Sequence, residues 1–115
     1  MALVRLTPQT QRALCDHLRE LSRHGQMRVR TRGVLGSSPN RPLVGQLSCV
    51  YKPRDQAIRF GFRGVTYSVP VRPEGFVPSK EGEAIAWYEL KPGRAEIMVH
   101  DYGHRGESWR WVELV

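Results

Sequence analysis

Hydrophobic and polar positions alternate along three consecutive segments at the end of the chain, residues 84–115. Turn-forming residues separate these segments, first at Lys91-Pro92-Gly93 and then at residues 103–106, where two glycines flank His104 and Arg105. Alternation of β-branched and aromatic side chains between such turns is typical of strands joined by hairpins. The pattern predicts a three-stranded antiparallel meander that holds all three tryptophans of the chain.

A meander of this kind buries one of its faces. The residues expected to fill the buried face are Trp87, Ile97, Val99, Trp109 and Trp111. The last strand departs from strict alternation, because Val112 and Leu114 fall opposite to its two tryptophans. This predicts either a bulge near residues 111–112 or a strand that is covered on both faces.

The beginning of the chain has helical periodicity instead. Thr7 is a suitable N-cap, and Pro8 suits the first helical position. Leu14, Leu18 and Leu21 then recur at the spacing of one helix face. We therefore expect a surface helix over residues 8–24 that packs its leucine stripe on a sheet and leaves its charged face in water.

The middle of the chain contains further segments with the period of a strand. They are expected at residues 27–35, 43–52, 57–62 and 65–71, the last two as a hairpin. Residues 70–82 contain prolines and glycines without periodicity and are predicted to form a long loop, either ordered or flexible. The predicted fold class is α+β. It is a single domain over residues 1–115, with an N-terminal amphipathic helix packed on a strongly bent antiparallel sheet or open barrel of about six to seven strands.

Composition gives expectations about where the protein is located and about the state of its cysteines. The chain begins without the apolar stretch of a signal peptide, and it contains no segment long enough to cross a membrane, which favours a cytoplasmic protein without a membrane partner. Cys15 and Cys49 lie in different predicted elements without metal-ligand spacing. We interpret them as two small buried or half-buried residues rather than a disulfide or zinc site.

Charge is distributed unevenly along the chain. The formal net charge is +7, and residues 26–72 hold nine basic residues against one acidic residue, whereas residues 73–115 carry a net charge of −3. A basic middle segment beside an acidic end suits a polyanionic or acidic partner and also permits head-to-tail self-association. The alternative explanation is that the net positive charge only keeps the protein soluble and binds no partner.

Arg28, Arg30 and Arg32 alternate along one predicted strand and would form a row of guanidinium groups about 6.6 Å apart. Guanidinium binds phosphate oxygens in pairs, and aromatic rings on a basic sheet stack with bases. The sequence therefore predicts a small non-enzymatic module that binds single-stranded or structured RNA or DNA. The residues expected to bind nucleic acid are Arg28, Arg30, Arg32, Lys52, Arg59, Arg63, Arg110, Tyr51 and Tyr102.

Two other functions are compatible with the same residues. Exposed arginines and aromatic rings also occur at protein interfaces, so an inhibitor, adaptor or assembly factor that docks on an acidic protein is the alternative. Arginines on an edge strand also prevent aggregation without binding anything. The third hypothesis is a small ribonuclease or metal-dependent hydrolase built on His100, Asp101 and His104, since two imidazoles and a carboxylate are able to hold a metal. Phosphate-binding loops and nucleophile motifs are missing, so neither a catalytic residue nor a cofactor is assigned.

Overall fold

The computed structural model describes residues 3–23, 27–33, 41–43, 48–62, 65–103 and 106–114, with side chains for 3–23, 48–61 and 66–102. This part of the chain forms one α-helix and nine strands. In chain order they are β1 (Val4–Arg5), α1 (Gln11–Arg23), β2 (Met27–Gly33), β3 (Arg41–Leu43), β4 (Ser48–Lys52), β5 (Ala57–Phe62), β6 (Val65–Pro70), β7 (Ala84–Lys91), β8 (Arg94–Gly103) and β9 (Gly106–Leu114). A short 3₁₀ helix, Pro53–Asp55, lies between β4 and β5.

The strands divide into two antiparallel sheets. A six-stranded sheet has the order β1-β7-β8-β9-β2-β3, and a three-stranded sheet has the order β4-β5-β6. The class is therefore α+β. The single bent sheet or barrel expected from the sequence is not confirmed, because the chain changes sheets between β3, which ends at Leu43 in the large sheet, and β4, which begins at Ser48 in the small one.

The core lies between the two sheets and the helix. Leu14 and Leu18 of α1, Ile58 and Phe60 of β5, and Ile97 of β8 are at most 1% exposed and belong to one hydrophobic cluster. We name the side of the six-stranded sheet that faces this cluster its inner face, and the opposite side its outer face. His17 extends the contact between layers: its Nε2 lies 3.0 Å from the carbonyl oxygens of both Lys91 and Arg94. Because both of those atoms are acceptors, Nε2 is the donor.

The helix begins with a reciprocal pair of hydrogen bonds. The Thr7 hydroxyl accepts from the Thr10 backbone N–H at 3.3 Å, and the Thr10 hydroxyl accepts from the Thr7 N–H at 2.8 Å. This arrangement satisfies backbone donors that the first helical turn leaves free. A turn over residues 8–10 leads into α1, and residues 24–26, where the sequence predicts the end of the helix, lie outside the described residues.

The turn between β7 and β8 decides which residues face the core. Lys91 pairs with Arg94, and the two residues between them are Pro92 and Gly93, the latter with φ of 74°. This left-handed conformation suits glycine, because it has no Cβ. The resulting register places Trp87 opposite Met98, and Tyr88 opposite Ile97.

The expected buried face of the meander is therefore wrong in part. Ile97 and Val99 are fully buried, but the aromatic side chain beside them is that of Tyr88, which is 3% exposed and whose hydroxyl donates to the Thr10 carbonyl oxygen at 2.7 Å. Trp87 is half-buried on the outer face. The reason is that alternation along one strand allows two opposite assignments of its faces, and only pairing with the neighbouring strand selects one.

The segment between β6 and β7 is ordered by hydrogen bonds at both ends. The Arg72 N–H donates to the Leu6 carbonyl oxygen at 3.4 Å, and the Gly82 N–H donates to the Tyr102 carbonyl oxygen at 2.7 Å. Near its end, Glu83 Oε1 accepts the backbone N–H groups of Ser79 at 3.0 Å and Lys80 at 2.8 Å. Residues 71–83 form neither a helix nor a strand, so this segment is a loop.

The Glu83 contacts lead to a pH-dependent prediction. The Ser79 N–H is the largest cause that lowers the pKa of Glu83, and the Lys80 N–H adds to it. Because the folded pKa is depressed, the carboxylate holds the loop at neutral pH, and this contribution is lost as the pH falls through the folded pKa. In NMR titrations we expect the Ser79 and Lys80 amide resonances to shift with a midpoint below the ordinary value of about 4.3. Glu83→Gln should abolish that titration, and a midpoint at or above the ordinary value would contradict the assignment.

None of the helices within the described ranges is long and apolar enough to cross a membrane.

Candidate nucleic-acid interface

The outer face of the six-stranded sheet carries a row of large side chains that crosses several strands. Directly paired positions share a face in an antiparallel sheet. The register pairs Arg5 with Trp87, Trp87 with Met98, Met98 with position 111, and position 111 with position 32. The row therefore runs from an arginine on β1, through Trp87 and Met98, to the positions of Trp111 on β9 and Arg32 on β2.

A second row runs beside the first on the same face. Ile85 pairs with His100, and His100 pairs with position 109, where the chain has its third tryptophan. Tyr102 follows two residues after His100, and the two rings lie 5.1 Å apart between centroids at an interplanar angle of 51°. The two rows together place all three tryptophan positions, a histidine and a tyrosine on one side of one sheet.

The row on the other side of Trp87 is acidic. Glu89 pairs with Glu96, which in turn pairs with position 113, also a glutamate, and position 113 pairs with Arg30. Lys91 Nζ lies 3.8 Å from Glu89 Oε1 and 3.6 Å from Glu96 Oε1. This lysine relieves the repulsion between carboxylates that face each other across strands. The outer face is thus basic along β2 and acidic along one flank.

The expected arginine row on β2 lies in this sheet. Positions 28, 30 and 32 alternate with 29 and 31, and the pairing of position 32 with position 111 assigns them to the outer face. Arg110 does not join them, because position 110 pairs with Val99, which belongs to the inner face. The side chains of β2 and β9 lie outside the described ones, so the register of the backbone alone places these four residues.

The other predicted residues are dispersed. Lys52 and Arg59 are exposed on the side of the small sheet that faces away from the core, where Arg59 Nη2 lies 3.1 Å from Asp55 Oδ2. Tyr51 points the opposite way and, although it is half-buried, packs against the hydrophobic core on a different sheet from Tyr102. Tyr102 lies on the outer face of the large sheet, and Arg63 lies outside the described residues. The nine residues therefore do not form one surface.

The candidate metal or acid–base cluster is divided by the sheet. His100 and Asp101 are consecutive on β8, so their side chains leave the strand on opposite faces, and His104 lies outside the described residues. Within the ranges whose side chains are described, no three His, Cys, Asp or Glu side chains converge as metal ligands.

Sequence reasoning missed two members of the outer face, Arg5 and Met98. Arg5 precedes the predicted helix, and its guanidinium donates to the Phe76 carbonyl oxygen. Met98 is adjacent to the buried Ile97 and looked like an ordinary strand residue. Only the register between strands assigns either of them to the Trp87 row, so no pattern within a single segment reveals them.

A cleft of about 400 Å³ lies between the edge strand β6 and the start of β7. Residues of both sheets line it, among them Thr66, Tyr67, Val69, Ala84 and Val99. Arg72 at its border donates from Nε to the Ala84 carbonyl oxygen at 3.3 Å and from Nη1 to Gln56, and its guanidinium lies 4.9 Å from the Phe76 ring centroid. Because this cation is already engaged within the protein, the cleft is a weaker candidate for an anionic ligand than the outer face.

No protein family, curated protein or solved structure matches the chain.

Proposed function

We propose that the protein is a non-enzymatic module that binds single-stranded RNA or DNA on the outer face of its six-stranded sheet. The observation that carries this proposal is the register that aligns Trp87 and Met98 with positions 111 and 32. In proteins that bind single-stranded nucleic acid, the bases stack on aromatic side chains, and arginines bind the neighbouring phosphates. In this protein the Trp87 row would stack with the bases, and the arginines of β2 would bind the phosphates.

The location of the row supports this function. The helix and the small sheet pack on the inner face, and the hydrophobic cluster contains Ile97 and Val99 rather than Trp87 or Met98. Trp87, Met98, His100 and Tyr102 are all half-buried, so a part of each side chain is accessible. A half-buried ring is held in place by its neighbours and loses little conformational freedom when a base stacks on it.

The acidic row favours a single strand over a duplex. A single strand places one line of phosphates along β2, with its bases towards the Trp87 row. A duplex keeps its bases inside and would bring a second line of phosphates over Glu89 and Glu96, which Lys91 neutralises only in part. Because the phosphates and these carboxylates are both negatively charged and repel each other, we expect duplex DNA to bind more weakly than a single strand.

Tryptophan fluorescence tests the proposal directly, because every tryptophan of the chain lies at an outer-face position. Titration with unlabelled single-stranded oligonucleotides should quench the emission. The anisotropy of a labelled oligonucleotide should give the same dissociation constant. The logarithm of the affinity should fall linearly with the logarithm of salt concentration, with a slope of about −0.7 for each phosphate contact.

The two signals separate the possible failures. Binding by anisotropy without any change in tryptophan emission would place the nucleic acid on another surface and reject the outer face. Absence of binding at low salt, in spite of the net charge of +7, would reject the function, and recovery of a protein partner after nuclease treatment would then favour an interaction module.

A further inference from the structure

The two cysteines of the chain, which are far apart in sequence, lie at one contact between layers. Cys15 is on α1 and Cys49 is on β4 of the small sheet. Both are free thiols, each is 3% exposed, and both belong to the hydrophobic cluster. No motif connects them in the sequence, which therefore predicts only two small buried or half-buried residues.

Arg19 shows how closely the two elements approach. It lies one helical turn after Cys15, on the same side of α1. Its Nη2 donates to the backbone carbonyl oxygen of Cys49 at 2.6 Å. The helix is therefore fixed to β4 at the residue that carries the second thiol. The exposed guanidinium also lies 3.4 Å from Asp16 Oδ1, which holds it at the border of the contact.

The two buried thiols perturb each other, and the effect on each is different. The neighbouring thiol is the largest cause that lowers the pKa of Cys15, and it raises the pKa of Cys49. The positive charge of Arg19 also lowers the pKa of Cys15, against the opposing effect of burial. Cys15 is thus the better nucleophile of the pair, and Cys49 is the adjacent thiol that would complete an exchange.

We propose that Cys15 and Cys49 form a redox-active pair that closes to an intramolecular disulfide between helix α1 and strand β4. The oxidant is a low-molecular-weight disulfide such as oxidised glutathione. In a transient opening of α1 from β4, the Cys15 thiolate attacks one sulfur of the oxidant, forms a mixed disulfide and releases one thiolate. The Cys49 sulfur then attacks Cys15 and displaces the second thiolate. Two protein thiols are oxidised, the reagent is reduced to two thiols, and the two cysteine protons end on them.

The disulfide would tie the helix to the small sheet and close a loop over residues 15–49. A cross-link of this span restricts the unfolded chain more than the folded one. We expect the midpoint of thermal unfolding to rise by roughly 5–15 °C in the oxidised protein. This inference concerns the contact between α1 and β4 and does not depend on the proposed nucleic-acid binding.

Formation of the Cys15–Cys49 disulfide is tested by incubating the folded protein in a series of glutathione redox buffers. Each sample is then quenched with acid, and the mass of the intact protein is measured. We expect a species lighter by about 2 Da, the mass of two hydrogen atoms, that is monomeric on a non-reducing gel and has the raised melting temperature. Cys15→Ala and Cys49→Ala, small replacements for buried thiols, should each abolish that species and the shift.

Three results would overturn the proposal. One is that both thiols stay reduced in the folded protein under buffers that oxidise them in urea. Another is that the product is a disulfide-linked dimer or a stable glutathione adduct. The third is a cross-link without any change in melting temperature. All three are read on the wild-type chain, so they hold even if an alanine variant fails to fold.

Discussion

Reversal of the charges at Arg28 and Arg32 should weaken the binding of a single-stranded oligonucleotide by about 10- to 100-fold. These positions lie on either side of Arg30 along β2, and position 32 ends the row that contains Trp87. Loss of two phosphate contacts should also reduce the slope of log affinity against log salt by about 1.4. Arg30 is left unchanged because it pairs with position 113, which is a glutamate. A glutamate introduced at position 30 would face it directly and destabilise the sheet.

The matched control is charge reversal at Lys52 and Arg54. Both are exposed, but they belong to β4 and to the 3₁₀ helix Pro53–Asp55, outside the six-stranded sheet. Each double reversal lowers the net charge from +7 to +3, so any effect of overall charge is common to both variants. We expect the control to weaken binding by about threefold or less, the part due to the long-range field. If it loses as much affinity as the β2 variant, the outer face is not the binding surface.

Replacement of two adjacent residues on β7 should separate folding from binding. Tyr88→Ala should lower the free energy of unfolding by about 3–5 kcal/mol, because it leaves a cavity in the core. Its loss also leaves the Thr10 carbonyl oxygen without the hydroxyl that donates to it at 2.7 Å. Trp87→Ala removes a half-buried side chain from the outer face and should cost about 1–2 kcal/mol.

Oligonucleotide affinity should change in the opposite order. Trp87→Ala should bind more weakly than the wild type, since a stacked base contributes about 1–3 kcal/mol, whereas the folded fraction of the Tyr88 variant should bind normally. Urea unfolding and anisotropy titrations measure the two effects. If Tyr88→Ala does not fold, Tyr88→Phe should still cost about 1–2 kcal/mol through the lost hydrogen bond. A larger loss of stability at Trp87 than at Tyr88 would contradict the register.

The pKa of Tyr88 agrees with this location. Burial raises the pKa of its phenol, against a smaller lowering by the side chain of Thr10. Because the folded pKa exceeds the unfolded one, the stabilising contribution is complete below the unfolded value. It is lost as the pH rises through the folded value. The hydroxyl therefore stays a donor to Thr10 at neutral pH.

Local patterns in the sequence were sufficient for the helix and the longer strands, but not for the short strands β1 and β3. The cap at Thr7, the stripe of Leu14 and Leu18, and the turn at Pro92 and Gly93 each depend on residues within one or two turns of chain, and the structure contains all three. Such features are encoded by propensity and periodicity, which act locally. The α+β class follows from them.

The helix, the long strands and the row of arginines along β2 can thus be predicted from the order of residues in the chain. Which of these residues share a surface depends on how the strands pair and the layers pack. The tertiary structure divided the strands between two sheets, turned Trp87 outward and Tyr88 inward, separated Lys52 and Arg59 from β2, and brought Cys15 to Cys49. The physical reason is that strand pairing and packing between layers join residues distant in sequence. A shift of one residue in register exchanges the two faces of a strand without changing its pattern.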